Sequence, residues 1–162
     1  MNGPVRARDH RRGRRGRDAT EPWRSRRVRV AGVSDKLKIA IVGAGPGGLS
    51  SAARAAELGV SHVLLEQSPA HANTIQKYQK GKHVMAEPNV LPLRSPLDFQ
   101  AGTREAILTE WERGLAKHSV NIRYGAEVVA ISGQRPDFTL KLKNGEQLQA
   151  ETVVFAIGMQ GN

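Results

Sequence analysis

The chain has 162 residues, 25 Lys and Arg against 15 Asp and Glu, a formal charge of +10, and no cysteine. That length suits one domain of ordinary size. The missing thiols exclude a disulfide scaffold, a thiolate metal site, a Cys nucleophile and a dithiol redox centre within these residues. Apolar residues make up 39% of the chain and aromatic ones 4%, and no apolar run is long enough for a membrane helix.

The charge is concentrated at one end. Residues 1–36 hold twelve basic side chains, eleven of them Arg, against four acids, leaving a nearly neutral body of net +2 over 37–162. Val5, Trp23, Val28, Val30 and Val33 are scattered without period, so this stretch is expected to be a disordered tail. Its Arg11–Arg17 run is RGG-like, a pattern that can bind nucleic acid or acidic lipid, but with Trp23 as its lone aromatic it lacks a base-stacking platform. A nucleic-acid partner is therefore not expected. Neither targeting pattern is met. After Ser25-Arg26-Arg27 the apolar stretch is broken by Gly32, Ser34, Asp35 and Lys36, and four acids disfavour a transit peptide. A cytoplasmic location is the expectation.

From Leu37 the pattern changes. Leu37–Val42 is a short β-rich apolar run, the length of a buried parallel strand. Gly43-Ala44-Gly45-Pro46-Gly47-Gly48 follows, then an Ala-rich helix closed by Gly59 and a second strand from His62 ending on the acid Glu66. Ile39 to Glu66 is 28 residues, the size of one βαβ unit. Each glycine has a physical task in such a unit. Gly43 permits the tight turn, Gly45 lets a pyrophosphate approach the backbone, and Gly48 lets the helix pack closely. The helix N-terminus offers free N–H groups and positive potential to phosphates. Glu66, 18 residues past Gly48, suits the hydroxyls of an adenosine ribose and would repel a 2′-phosphate. Strand, glycines, helix, strand and acid in this order predict a dinucleotide site made of Gly43, Gly45, Pro46, Gly47, Gly48, Glu66 and Gln67.

An irregular excursion carrying Pro69, Pro88, Pro92 and Pro96 extends to about Ala101. A helix is then expected from Thr103, its N-cap, to about His118, with Ile107, Leu108, Trp111 and Leu115 on one face. Val120–Tyr124 reads as a third parallel strand. Three short alternating runs follow, 126–132, 138–143 and 147–150, with turns at Gly133–Asp137 and Asn144-Gly145, the latter a type I′ signal. They predict a three-stranded antiparallel meander. Glu151–Gly158 reads as a fourth buried strand.

In these features residues 37–162 resemble the FAD-binding half of two-dinucleotide-binding-domain flavoproteins, among them thioredoxin-reductase-like enzymes and flavin-containing monooxygenases. The resemblance implies an α/β, Rossmann-like domain whose parallel sheet carries the meander. It also implies FAD as cofactor, with NAD(P)H as co-substrate of the full-length parent. Adenine would lie against Glu127-Val128, with Val128 contributing backbone contacts, and Ala156 and Gly158 would allow close approach near the pyrophosphate. Placement at the start of the body and the long excursion favour FAD over NAD. The excursion would run toward the flavin ring, where a Lys, Tyr or His within Ile75–His83 could meet it and Arg94 and Asp98 are equally open, although no catalytic residue follows from the sequence. The implied reaction is hydride transfer from nicotinamide to flavin, then to a small-molecule or protein acceptor. A glutathione-reductase-like cysteine pair soon after Glu66 is absent, whereas a thioredoxin-reductase-like pair would belong to a downstream domain. The family continues past a position such as Asn162 into an NAD(P) domain and a closing FAD strand, so a fragment incomplete at its C-terminus is expected. Alternatives are part of a flavin-dependent monooxygenase, or a non-catalytic dinucleotide-binding module with a basic tail.

Overall fold

The structure, a computed structural model, describes residues 36–85 and 94–158. The expected tail lies outside these residues except for Lys36, whose ammonium is 2.5 Å from Asp137 Oδ1. Pro88, Pro92 and the last four residues also lie outside them.

The apolar run forms β1 (Leu37–Val42) and the Ala-rich segment forms α1 (Pro46–Glu57). Pro46 starts the helix, where its missing N–H costs nothing. Gly59, at φ +65°, ends it with its N–H donating to the Ala56 carbonyl, while Val60 N–H reaches Ala55. β2 (His62–Leu65) lies parallel to β1, and a short β5 (Ile122–Arg123) lies parallel to β2. Within the excursion a single helical turn, α2 (Asn73–Gln76), is followed by β3 (His83–Val84), which pairs antiparallel with β4 (Gly102–Thr103). The expected helix is α3 (Arg104–Lys117), capped by Thr103, whose hydroxyl accepts from Ala106 N–H.

The last three strands are β6 (Val128–Gln134), β7 (Asp137–Leu142) and β8 (Gln147–Phe155). Two expectations change here. The third meander run and the fourth buried strand are one continuous strand, because no turn residue separates Ala150 from Glu151. The first half of β8 pairs antiparallel with β7 and the second half pairs parallel with β1, joining everything into one sheet of order β5-β2-β1-β8-β7-β6. Nor is the Asn144-Gly145 turn type I′, since Gly145 has positive φ and Asn144 does not. The Leu142 carbonyl accepts from Gly145 N–H and Leu142 N–H donates to Glu146, a type I turn with a glycine bulge, and the Asn144 side chain caps Glu146 N–H at 3.0 Å.

Side-chain alternation sorts the core into two layers. Ile41 and Leu64 point to the face covered by α1 and α3, joining Leu49, Ala52, Ala53, Ile107, Trp111 and Leu115. Ala40, Val63 and Leu65 point the other way, onto Leu140, Leu142 and Ala126. β2 is consequently buried on both faces, which explains its unbroken apolar run. The meander folds back over the parallel strands, and Arg123 of β5 grips Glu146 of the far hairpin through two bonds of 2.8 and 2.6 Å. Among the described residues no helix is long and apolar enough to cross a membrane.

Candidate functional site: a cleft at the strand C-termini

The parallel strands β1, β2 and β8 all end on one side of the sheet, where open α/β folds place their ligands. A cleft of about 800 Å³ opens there. Nine of the ten expected site residues line it: Gly43, Gly45, Pro46, Gly47, Glu66, Gln67, Val128, Ala156 and Gly158. Gly48 does not, being buried beneath the turn.

The glycines divide by what presses on them. Gly43 turns at φ +101°, and a Cβ there would stand 2.6 Å from the Ala156 carbonyl oxygen. A Cβ on Gly48 would stand 1.8 Å from the Gly43 carbonyl oxygen, so the helix closes on the backbone of the turn itself. These two glycines are required by the fold. Gly45 is different, since the nearest protein atom to its Cβ would be 4.0 Å away, and Gly47 has nothing within 4 Å. Gly45 also has an ordinary extended conformation, φ −75°, ψ −178°. Neither needs to be glycine for the chain to fold, and both leave bare backbone facing the cleft at the helix N-terminus. The first N–H groups of α1 have no intrahelical acceptor, which makes that surface an anion cradle.

Glu66 stands at the end of β2, buried, with both carboxylate oxygens engaged. Oε2 accepts from Ala44 N–H at 2.7 Å and Oε1 from Ser68 N–H at 2.8 Å. It thus braces the glycine turn as well as lining the cleft. An ionised carboxylate has about four acceptor positions, so lone pairs remain for a ribose diol. β6 is an edge strand, and Val128 stands at its start just before a bulge, where edge backbone is open to a planar ring. The Glu127 carboxylate beside it is held by Lys143 Nζ at 2.7 Å.

The remaining wall comes from the excursion, which was expected to approach the flavin but carries no pattern that tells which of its residues do so. Ser68, Ala72, Asn73, Thr74, Ile75 and Lys77 all line the cleft. Ala72 N–H donates to the Ala44 carbonyl at 2.8 Å, and Ile75 is anchored in the helical core. Lys77 therefore lies in the cleft, whereas Tyr78 and His83 do not line it. Tyr78 is covered by Lys82, with Nζ 4.4 Å from the ring centre. Among the described residues no cluster of His, Cys, Asp or Glu could hold a metal ion.

The parallel part of the sheet, the glycine turn between β1 and α1 and the cleft at the strand C-termini together define a Rossmann-like domain. The chain belongs to the pyridine nucleotide-disulphide oxidoreductase family, whose profile matches residues 40–162. Solved structures share the fold. Bacillithiol disulfide reductase Bdr from Staphylococcus aureus superposes with a TM-score of 0.63 at 19% identity, over 76% of this chain and 38% of that one. The flavin-containing monooxygenase from Stenotrophomonas maltophilia gives 0.60 at 19%, over 76% and 38%. A ferredoxin-flavin thioredoxin reductase from Clostridium acetobutylicum gives 0.60 at 22%, over 79% and 39%. The chain thus spans well under half of each of these structures. No curated protein matches its sequence.

Proposed function

We propose that the cleft holds FAD, and that the chain is the FAD-binding portion of an NAD(P)H-dependent flavoprotein oxidoreductase. The carrying observation is the pairing of a buried Glu66 with the open backbone at Gly45 and Gly47. Glu66 would take the adenosine ribose hydroxyls, the N-terminus of α1 the pyrophosphate, and the backbone at Val128 the adenine. Ala156, Gly158 and the 72–77 wall would flank the rest of the cofactor. When bound, the flavin would supply the hydride and electron transfer chemistry. A carboxylate at the ribose position supports FAD or NAD over NADP at this site, because a 2′-phosphate would meet like charge.

The acceptor on this reading is a small molecule or a protein. The reductase and monooxygenase relatives have nearly equal TM-scores, 0.63 and 0.60, so the fold favours neither branch. Titration of the purified chain with FAD, FMN and NAD, followed by flavin fluorescence and calorimetry, tests the reading. Saturable FAD binding is expected, with AMP competing and FMN, which lacks the adenosine, binding far more weakly. NAD binding without FAD binding would refute it. Oxygen-dependent NADPH consumption by a longer polypeptide carrying this chain would select the monooxygenase branch.

A further inference from the structure

A polar cluster with one buried member stands behind the 66–72 wall of the cleft, its other members Tyr124 and Glu112 being exposed. His71 is 4% exposed, and its Nε2 is shut off from solvent with no hydrogen-bond partner among the described residues. Its Nδ1 lies 3.0 Å from the Tyr124 hydroxyl and 3.6 Å from Glu112 Oε2 on α3. Both His71 and Tyr124 adjoin residues that tie the wall down. Ala72 N–H holds the Ala44 carbonyl at 2.8 Å, and Gly125 N–H holds the Ser68 carbonyl at 3.2 Å. Ala72 itself sits in the left-handed region at φ 51°, ψ 40°, a conformation a non-glycine residue keeps only when its surroundings impose it.

We propose that His71 is a positioning residue which, through Tyr124, holds the 66–72 wall closed only while its imidazole is uncharged, so that dinucleotide affinity falls in acid. The proposal rests on the FAD reading above. An uncharged ring satisfies Nδ1 at Tyr124 and leaves one nitrogen unpartnered. A second proton puts N–H on both nitrogens and a charge in a site with no acceptor for Nε2, which burial penalises. Burial accordingly holds the His71 pKa below its ordinary value, with Glu112 opposing.

The charged groups around the ring decide where it would go. Glu112 is within reach and its side chain is 72% exposed, so a charged imidazole is better served by swinging out toward α3 and water. Arg113, which shares the groove over His71, is paired with Glu110 at 2.5 Å and does not compete for Glu112. On the cleft side of the wall, Glu66 is the other acid whose charge helps to keep the Tyr124 hydroxyl protonated. An outward swing abandons the Tyr124 contact, releases Ala72 from its imposed conformation and loosens its hold on the glycine turn.

The test compares the wild-type chain with His71→Asn, whose amide can stand where Nδ1 stands without titrating. FAD affinity is measured from about pH 7.5 to about pH 5.5, across the ordinary histidine range. Wild type is expected to weaken about tenfold, as one linked proton allows, and His71→Asn less than about twofold. Tyr124→Phe should bind more weakly already at the higher pH. A parallel loss in wild type and His71→Asn overturns the proposal. Hydrogen exchange at the Ala72 amide, measured without FAD and corrected for intrinsic rates, reads the wall directly. Its protection should fall in acid for wild type and not for His71→Asn, and equal protection at both pH values also overturns the proposal. A wild type that shows the exchange pattern but binds no FAD refutes the FAD reading instead.

Discussion

Replacing two glycines separately by alanine separates what the fold requires from what the ligand requires. A Cβ on Gly48 would sit about 1.2 Å inside the closest approach that a Cβ tolerates, against the Gly43 backbone oxygen. Backbone cannot rotate away as a side chain can, so either the helix start or the turn must move. Overpacking of this kind costs about 1–3 kcal/mol and sometimes more. The gain of about 1 kcal/mol from better helix propensity offsets only part of it. With a backbone oxygen only 1.8 Å away the cost lies at or above the top of that range, so Gly48→Ala should lose about 2 kcal/mol or more in net stability. Gly45→Ala meets nothing closer than 4.0 Å and already has an extended backbone. Its cost is the poorer N-cap, about 1 kcal/mol or less. Its methyl nevertheless projects at the cleft where a pyrophosphate would touch backbone, so FAD affinity should fall at least about a hundredfold, or about 2.7 kcal/mol. Urea unfolding followed by circular dichroism gives the stabilities, and FAD fluorescence quenching gives the affinities. Equal destabilisation by the two changes, or a Gly45→Ala protein that binds FAD like wild type, would refute the reasoning.

Three further outcomes follow from the contacts. Glu66→Gln substitutes an amide donor for an acceptor that now receives Ala44 or Ser68 N–H, leaving one buried donor facing another. A loss of about 2 kcal/mol in urea unfolding is expected, together with weaker FAD binding. Breaking the Arg123–Glu146 clamp by Arg123→Ala should cost about 1 kcal/mol, the upper end for a partly exposed pair. Its hydrogen bonds from Arg123 hold the Glu146 pKa down, so the clamp's contribution is whole above the unfolded carboxylate value and disappears as pH falls through the lowered folded value. The stability difference between wild type and Arg123→Ala should shrink over that acid range. Burial, then Glu112 and Glu66, push Tyr124 up to about 12. The unfolded chain therefore loses that proton first, and stability should decline from about pH 10 upward, a slope that Tyr124→Phe removes.

The legible parts of this chain are those in which one residue's neighbours in space are also its neighbours in sequence. The β1–α1–β2 unit was readable because Gly43, Gly45, Gly48 and Glu66 keep fixed offsets along one supersecondary motif. α3 was readable because Thr103 caps it and its apolar stripe has helical period. The α2 turn spans only four residues, too few for any period, and its role as a cleft wall depends on Ala72 reaching Ala44. The hairpin at Asn144-Gly145 was seen but mistyped, because the Asn144 side chain bonds Glu146 N–H and favours a type I turn with a bulge.

By itself, the sequence determined a dinucleotide motif, the longer elements in their order, a basic end joined to a nearly neutral body, and the absence of thiol chemistry within these residues. These rest on local spacing, period and composition. Tertiary structure decided that β8 pairs parallel with β1 and antiparallel with β7 within one sheet, and that Gly48 answers to the fold while Gly45 faces the cleft. It also showed that Glu66, expected only to meet ribose hydroxyls, braces the glycine turn, and it brought His71 to Tyr124 across 53 residues. Contacts of that separation depend on how the sheet is ordered and folded back on itself, and no local pattern in the chain encodes that.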